Sequence, residues 1–516
     1  MRRVWLGNRN ERVSEVSALG KIAKILKLVL LGLAVLYLVA YVAIAMARIA
    51  YPFELEWREG GAVDHIVRIL AGEKLYVQPS VAFVPYTYTP LFFYVSAGVA
   101  KVLGVGFTPL RLVSFVSSLG SLLFIYLLVK RETRATYYGV LSAGLFAATF
   151  RAAGAWFDIA RVDSLFLVLC LATVYLVRAE SSRLGYACAG VLMALAFLAK
   201  QTALPVCLPL LVYAIIFRRR LALYLLGAAG LLIPGSTIIL NHLHDGWYYY
   251  YVFVSPRQHA IVSEMFVGFW TSDMLILFVA FAFAAAYLIL AYREESRQNA
   301  VFYALLLGGG LGASWFSRLS NGGYNNVLMP AYATLSILFG LGLHKSLGFM
   351  QIVPERKRFV ATTYVFLLCI IQFASLRYDP VAQVPTQADV DGGSQLIRSL
   401  QQVPGQVFLP YHGYLPIMAG KQSFGSGMAF FDMQGDSGPV KQRLVEDMGR
   451  AIRQQQFDTI VIDAPFSWFS DTWFPEVHDY YVLQRTIFTD PDVFWPVTGM
   501  PTRPEWWYIP KPATTQ

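Results

Sequence analysis

Charge is scarce in this sequence. Asp, Glu, Lys and Arg make up 14% of its 516 residues, against 56% hydrophobic ones. A soluble domain of that length needs more wetted surface, so the composition excludes an ordinary soluble enzyme. Cysteine is also sparse. Cys170, Cys188, Cys207 and Cys369 all fall within apolar runs and form no C-x-x-C pair, which excludes a disulfide framework and a thiolate metal or redox motif. The sequence has no Walker loop, Rossmann glycine fingerprint, haem motif or Ser-His-Asp order, and no internal repeat. The outer histidines His242, His244 and His259 lack the i, i+4 spacing of a helical zinc site. No ordinary cleaved signal peptide opens the chain, because Met1 to Lys27 is too long and too charged before its apolar run.

What is present is a succession of apolar runs long enough to cross a bilayer. About eleven spans are predicted, beginning near Leu28, Leu112, Tyr137, Leu165, Leu184, Leu204, Leu221, Met274, Val301, Val327 and Phe359. With the N-terminus in the cytoplasm, Lys130, Arg131, Arg134, the Arg218–Arg220 triplet and Arg356, Lys357 and Arg358 all fall on that same side, as the positive-inside bias requires. The net charge of +10 is therefore a topology signal, not a nucleic-acid footprint. Pro90 to Val105 is apolar but short, and counting it as a span would put the Arg218–Arg220 triplet outside. It reads as a re-entrant or interfacial helix in the first outer loop. After Arg377 no spanning run remains. Strand patterns at Val407–Tyr411, Thr459–Ile462 and Tyr480–Ile487, with a helical one at Val440–Gln454, predict a small α/β domain outside the membrane. The expected architecture is mainly α: a polytopic bundle, N-in and C-out, over 1–376, with first-loop interfacial helices, and an extracytoplasmic α/β domain over 377–516.

The polar residues gather at the outer face. The first outer loop reads Phe53-Glu54-Leu55-Glu56-Trp57-Arg58-Glu59-Gly60-Gly61, followed by Asp64. Val63, Ile66, Val67 and Leu70 then recur at helical spacing and predict an amphipathic helix on the membrane surface. Glu59 would stand at its start, where exposed N–H groups favour a carboxylate, and helix capping alone would account for it. In the second outer loop, Asp158, Arg161 and Asp163 precede the fourth span at the same depth as the first-loop acids, and Asp163 would also serve as a helix cap. Charged groups at a membrane boundary that face a bundle are candidate functional groups. Lys200 stands between the fifth and sixth spans and would either reach lipid headgroups or grip a substrate phosphate. Further outer loops carry Arg257, His259 and the Asn321–Asn326 stretch. The tyrosines Tyr248–Tyr251 fit an interface belt.

These motifs in this order resemble the polytopic glycosyltransferase C superfamily, nearest to the bacterial branch related to protein O-mannosyltransferases and the lipid A aminoarabinose transferase. The resemblance is carried by Glu-x-x-Glu-Gly-Gly over Glu56–Gly61, Leu-Ala-Gly-Glu-Lys-Leu-Tyr over Leu70–Tyr76 and Tyr-Thr-Pro-Leu-Phe-Phe-Tyr over Tyr88–Tyr94. Ala-Arg-Val-Asp over Ala160–Asp163 and Ala-Lys-Gln-Thr-Ala-Leu over Ala199–Leu204 complete it. It covers about the first 375 residues, and the outer domain matches only in general position.

The resemblance implies an inner-membrane transferase that moves a sugar from a polyprenyl-phosphate donor to a glycan, lipid or protein acceptor, mostly with inversion. A first-loop carboxylate would act as base. The family commonly has an Asp-Glu pair there, and Glu59 holds the place of its Glu, but Arg58 precedes it, so the base is either Glu56 or Glu59. Asp163 matches the second-loop acid. A divalent metal, Mg or Mn, would have Glu56 and Asp163 as candidate ligands. The leaving phosphate would be met by Lys200, Arg161 or Arg257, and the substrate by Tyr88, Gln201, His259 and Asn325. The alternative is a multi-pass transporter or lipid flippase, which tends to place charges at mid-membrane and to show paired repeats. A non-catalytic scaffold would leave the first-loop acids without a purpose.

Overall fold

The computed structural model describes residues 2–294, 297–464 and 472–512, with side chains from Ala18 onward. Each predicted span corresponds to a helix. They are α1 (Arg2–Arg48), α4 (Phe107–Thr133), α5 (Thr136–Ala148), α6 (Asp163–Ala179), α7 (Arg183–Ala199), α8 (Ala203–Phe217) and α9 (Arg219–Leu243). The series continues with α10 (Phe278–Glu294), α11 (Arg297–Arg318), α12 (Met329–Phe349) and α13 (Glu355–Ser375). Among the described residues, seven helical stretches are long and apolar enough to cross a membrane, including Ala18–Arg48, Met265–Arg293 and Asn325–Ile352. Helices α5 to α8 are shorter, with 13, 17, 17 and 15 residues. The chain is thus a multi-pass membrane protein by the length and composition of its helices.

Packing explains the arrangement. Helix α12 is apolar all round and buried from Met329 to Leu343, so it forms the axis on which α5, α10 and α11 pack. Helix α9 packs on α7 and α8 and leaves Leu223, Leu231 and Ile238 exposed, as a lipid-facing helix does.

Two helices stand in the first connection, α2 (Glu59–Leu70) and α3 (Leu91–Leu103). Helix α2 starts at Glu59, as its sequence predicts. Its apolar face is not laid on a membrane surface, however. Val63 and Ile66 are fully buried in a cluster with Phe92 and Phe93 of α3 and with Met428 and Met433, far along the chain. The apolar stripe that signals an interfacial helix signals equally a helix covered by protein. His65 is locked in place there. Its Nδ1 hydrogen-bonds the Gly61 carbonyl, and its Nε2 accepts from the Tyr86 N–H.

Beyond α13 the chain forms α14 (Gln387–Gln401), α15 (Gly427–Asp432), α16 (Pro439–Arg453) and a four-stranded sheet. The strands β1 (Val407–Phe408), β2 (Thr459–Ala464), β3 (Tyr481–Thr486) and β4 (Arg503–Pro510) lie in the order β1-β2-β4-β3. β1 runs parallel to β2, and the other pairings are antiparallel. The sequence reading missed β4 because Pro504 and Pro510 disqualify it as a strand. A register shift opposite Ile462 and Asp463 leaves Glu505 as an extra residue and accommodates Pro504 beside the bulge.

Candidate active site

Glu59 is the most constrained acid of the first connection. Its carboxylate receives Arg111 through Nε at 3.0 Å and Nη2 at 2.6 Å, the Ala160 N–H at 2.6 Å and the Leu55 N–H at 2.7 Å. The side chain is completely buried. Burial would raise its pKa, but Arg111 and the two backbone donors outweigh burial and hold it below the ordinary glutamate value. A carboxylate with both oxygens committed to four donors is a poor proton acceptor. That geometry weighs against Glu59 as the base. It is an ionised tie joining α2, α4 and the 155–162 connection. Asp158 is a second tie, held at 2.8 and 2.6 Å by Arg48 at the end of α1, and so takes no part in a common acid cluster.

Glu56 is as buried, with 1% of its surface exposed, yet differently served. One oxygen accepts the Arg58 N–H at 3.1 Å, and the other lies 3.8 Å from the Arg58 Nε. Burial raises its pKa to about 7, with Arg58 and Arg161 opposing the rise and Glu59 adding to it. Two neighbouring carboxylates are thus pushed apart, one fixed as an anion and one able to exchange a proton near neutrality, the pattern that separates structural from acid–base groups.

The 155–162 connection brings Arg161 to the same place. Arg161 donates to the Tyr88 hydroxyl at 2.8 Å, stacks over the Trp156 ring at 5.2 Å and stands within electrostatic reach of both Glu56 and Asp163. Its Nη1 meets the sulfur of Met428 at 3.1 Å, a weak acceptor for a guanidinium, and its buried Nε has no partner. Asp163, the first residue of α6, accepts Lys200 Nζ at 2.6 Å and Asn326 at 2.9 Å on one oxygen, while the other is buried without a partner. Gln201 donates to the Thr87 carbonyl at 2.8 Å and leaves its own buried carbonyl oxygen unmet. Beside Lys200, Phe166, Thr202 and Asn326 line a cavity of about 10 Å³, room for roughly one water. The unmet Arg161 donor beside Lys200 suits an anionic group, and the unmet acceptors of Asp163 and Gln201 suit donors such as ligand hydroxyls.

The C-terminal residues close the site. The Thr498 N–H bonds the Leu55 carbonyl at 3.3 Å, Tyr324 donates to the Gly499 carbonyl at 3.4 Å, and Gly499 lies against Glu56. A Cβ on Gly499 would stand 2.5 Å from the Glu56 Cγ, at a φ of +81° that L side chains rarely adopt. Gly499→Ala is therefore expected to displace the Glu56 side chain and lower turnover by about 10- to 100-fold, with a fall in melting temperature from the strained backbone. Steady-state kinetics beside a thermal melt checks it, and wild-type turnover would contradict the contact.

The other predicted residues divide into two groups. Tyr88, Arg161, Asp163, Lys200 and Gln201 come together with Glu56. His259 instead bonds the Asp432 carbonyl at 2.9 Å and Ser320 at 3.2 Å. Arg257 is exposed on the Ser255–Gln258 turn, outside the buried cluster that holds Arg161 and Lys200. Asn325 is half-buried; its neighbour Asn326 is the one that reaches Asp163. Among the described residues no group of three or more His, Cys, Asp or Glu is placed to hold a metal ion. Sequence reasoning missed Arg48 and Arg111. Their signal was a cation within or at the end of an apolar helix, which must find a partner.

A family model described as dolichyl-phosphate-mannose-protein mannosyltransferase matches residues 85–239. That stretch includes Tyr88, Arg161, Asp163, Lys200 and Gln201. Among solved structures, ArnT from Cupriavidus metallidurans bound to undecaprenyl phosphate is similar, with a TM-score of 0.56 and 13% identity over 93% of this chain and 98% of that one. Its apo state matches at 0.56 and 14% over the same shares. The apo oligosaccharyltransferase of Archaeoglobus fulgidus matches at 0.52 and 12%, over 88% of this chain and 72% of that one. No curated protein sequence matches. The structural likeness shows a shared fold, and with the family model it agrees with the resemblance to the glycosyltransferase C superfamily.

Proposed function

We propose that this protein is a membrane glycosyltransferase that takes a sugar from a polyprenyl-phosphate donor at the extracytoplasmic face of the cell inner membrane, with Glu56 as general base. The observation that carries the reading is the contrast between Glu56 and Glu59. Of these two, Glu56 is the one that combines burial, a pKa near 7 and an uncommitted oxygen. The acceptor hydroxyl would attack the anomeric carbon and pass its proton to Glu56. The sugar–phosphate bond would break on the opposite side of that carbon, giving inversion, and the phosphate would leave with the bonding electrons. Arg161 and Lys200 would stabilise its growing charge, and Asp163 would hold Lys200 in place. A phosphate oxygen would replace the Met428 sulfur as the better partner for Arg161. A ligand that keeps its tail in the bilayer suits a site beside the ends of α6 and α7. The similar ArnT structure is bound to undecaprenyl phosphate, a lipid of this class.

The chain would then comprise a transmembrane transferase domain over 1–376 and a covering domain over 377–516. Purified protein incubated with radiolabelled polyprenyl-phosphate sugars and a mixture of glycan, lipid and peptide acceptors is expected to release free polyprenyl phosphate. Lys200→Met is expected to lower kcat/KM for the donor by about tenfold, the value of one charge-assisted contact, and to lower the melting temperature by leaving Asp163 without its cation. A protein that moves such lipids between leaflets without releasing the phosphate would be a flippase, and the transferase reading would fall.

A further inference from the structure

A buried polar cluster outside the site joins the C-terminal sheet to the first connection. His412 sits between two buried carboxylates: its Nδ1 is bonded to Glu54, and its Nε2 to Asp463 of β2 at 2.8 Å. Thr502 donates to the same Asp463 oxygen at 2.7 Å from the residue preceding β4. The other oxygen of Glu54 accepts the Gly60 N–H at 3.0 Å in the first turn of α2. The 412–413 turn lies so close on α2 that a Cβ at Gly60 would overlap the Gly413 carbonyl, and the Tyr414 N–H reaches Asp64 at 3.0 Å. The turn that carries Glu56 is therefore gripped at both ends, by Arg111 through Glu59 and by His412 through Glu54.

We propose that His412 is a positioning residue for the transfer reaction, clamping the Glu54–Gly60 turn to the C-terminal sheet so that Glu56 is held in its water-poor place. This inference rests on the reading of Glu56 as the base. The clamp is charged. Burial disfavours an imidazolium, but Asp463 and Glu54 outweigh it and raise the His412 pKa to about 10, so the ring donates to Asp463 at neutral pH, while burial raises Glu54 to about 8 and keeps a proton between Glu54 and the ring. A neutral imidazole carries one N–H and could donate to only one of the two carboxylates. The groups packed around it are Glu54, Asp463, Thr502 and the Gly60 backbone, with Glu59 and Asp64 on the same turn and helix.

The test uses the full-length protein in detergent or nanodiscs, comparing wild type with His412→Gln. Asp463→Asn serves as a second variant should the first fail to fold. Hydrogen–deuterium exchange is expected to rise over residues 54–61 and to stay unchanged in α12. On a polyprenyl-phosphate sugar that the wild type uses, kcat is expected to fall about 10- to 100-fold with the donor KM unchanged. The acid limb of the kcat profile is expected to move below about 7, because a loosened Glu56 is better hydrated. Unchanged exchange over 54–61 would overturn the clamp. Raised exchange with wild-type kcat and an unmoved acid limb would overturn the positioning role. If wild type uses no such donor, the transferase reading fails by itself, and the exchange measurement still decides whether His412 clamps the turn.

Discussion

Glu56→Gln is expected to lower the rate of sugar transfer by about a thousandfold, the scale of removing a positioned general base, while the protein inserts, purifies and melts as wild type does. The substitution keeps the shape of the side chain and its contact with the Arg58 N–H, but removes the proton acceptor. The wild-type pH profile should carry the same signature. With its pKa raised to about 7, Glu56 is protonated and inactive in acid, and activity rises as pH passes through that value. In Glu56→Gln the residual rate should lose this limb. A single-turnover assay across pH makes the comparison. An undiminished acid limb in the variant would assign the titration to another group, with Asp64, whose pKa burial also raises to about 7, the next to examine.

Arg111→Met is expected to fail in a different way, through stability. Glu59 and Arg111 are both completely buried, and removing one partner strands the other charge at a cost of about 3–5 kcal/mol. The expected result is a large loss of melting temperature in detergent, or protein that does not survive purification. Glu59→Gln combined with Arg111→Met should be more stable than Arg111→Met alone, because no lone charge remains. That non-additivity distinguishes a tie from a catalytic group, and it is read from melting curves without any substrate. Equal melting of Arg111→Met and wild type would return Glu59 to the list of candidate bases.

The helices were legible because their signal is one-dimensional. An apolar run bounded by basic residues, such as the stretch from Leu184 to Ala199 after Arg183, defines a helix regardless of its neighbours. The starts at Glu59 and Asp163 were legible for the same reason, since acids favour first turns. Choosing between Glu56 and Glu59 was not. The choice depends on Arg111, 52 residues away in the chain, and on the Ala160 N–H. Nor does local sequence say that Arg161 and Lys200 join the cluster while Arg257 lies at the surface. The C-terminal sheet was half visible. β2 is a plain apolar run, whereas β4 is disguised by proline and shaped by a bulge. His412 carried no signal at all, because its two carboxylate partners come from opposite ends of the chain.

The most direct test of the account is a structure of the protein with a non-hydrolysable polyprenyl-phosphate sugar analogue. The phosphate should lie against Arg161 and Lys200, with the Met428 sulfur displaced and the Glu56 carboxylate facing the anomeric carbon from the side opposite the phosphate. A phosphate bound elsewhere, for example at the Arg218–Arg220 cluster, with Arg161 still on Met428 and Glu56 shielded from the sugar, would contradict it.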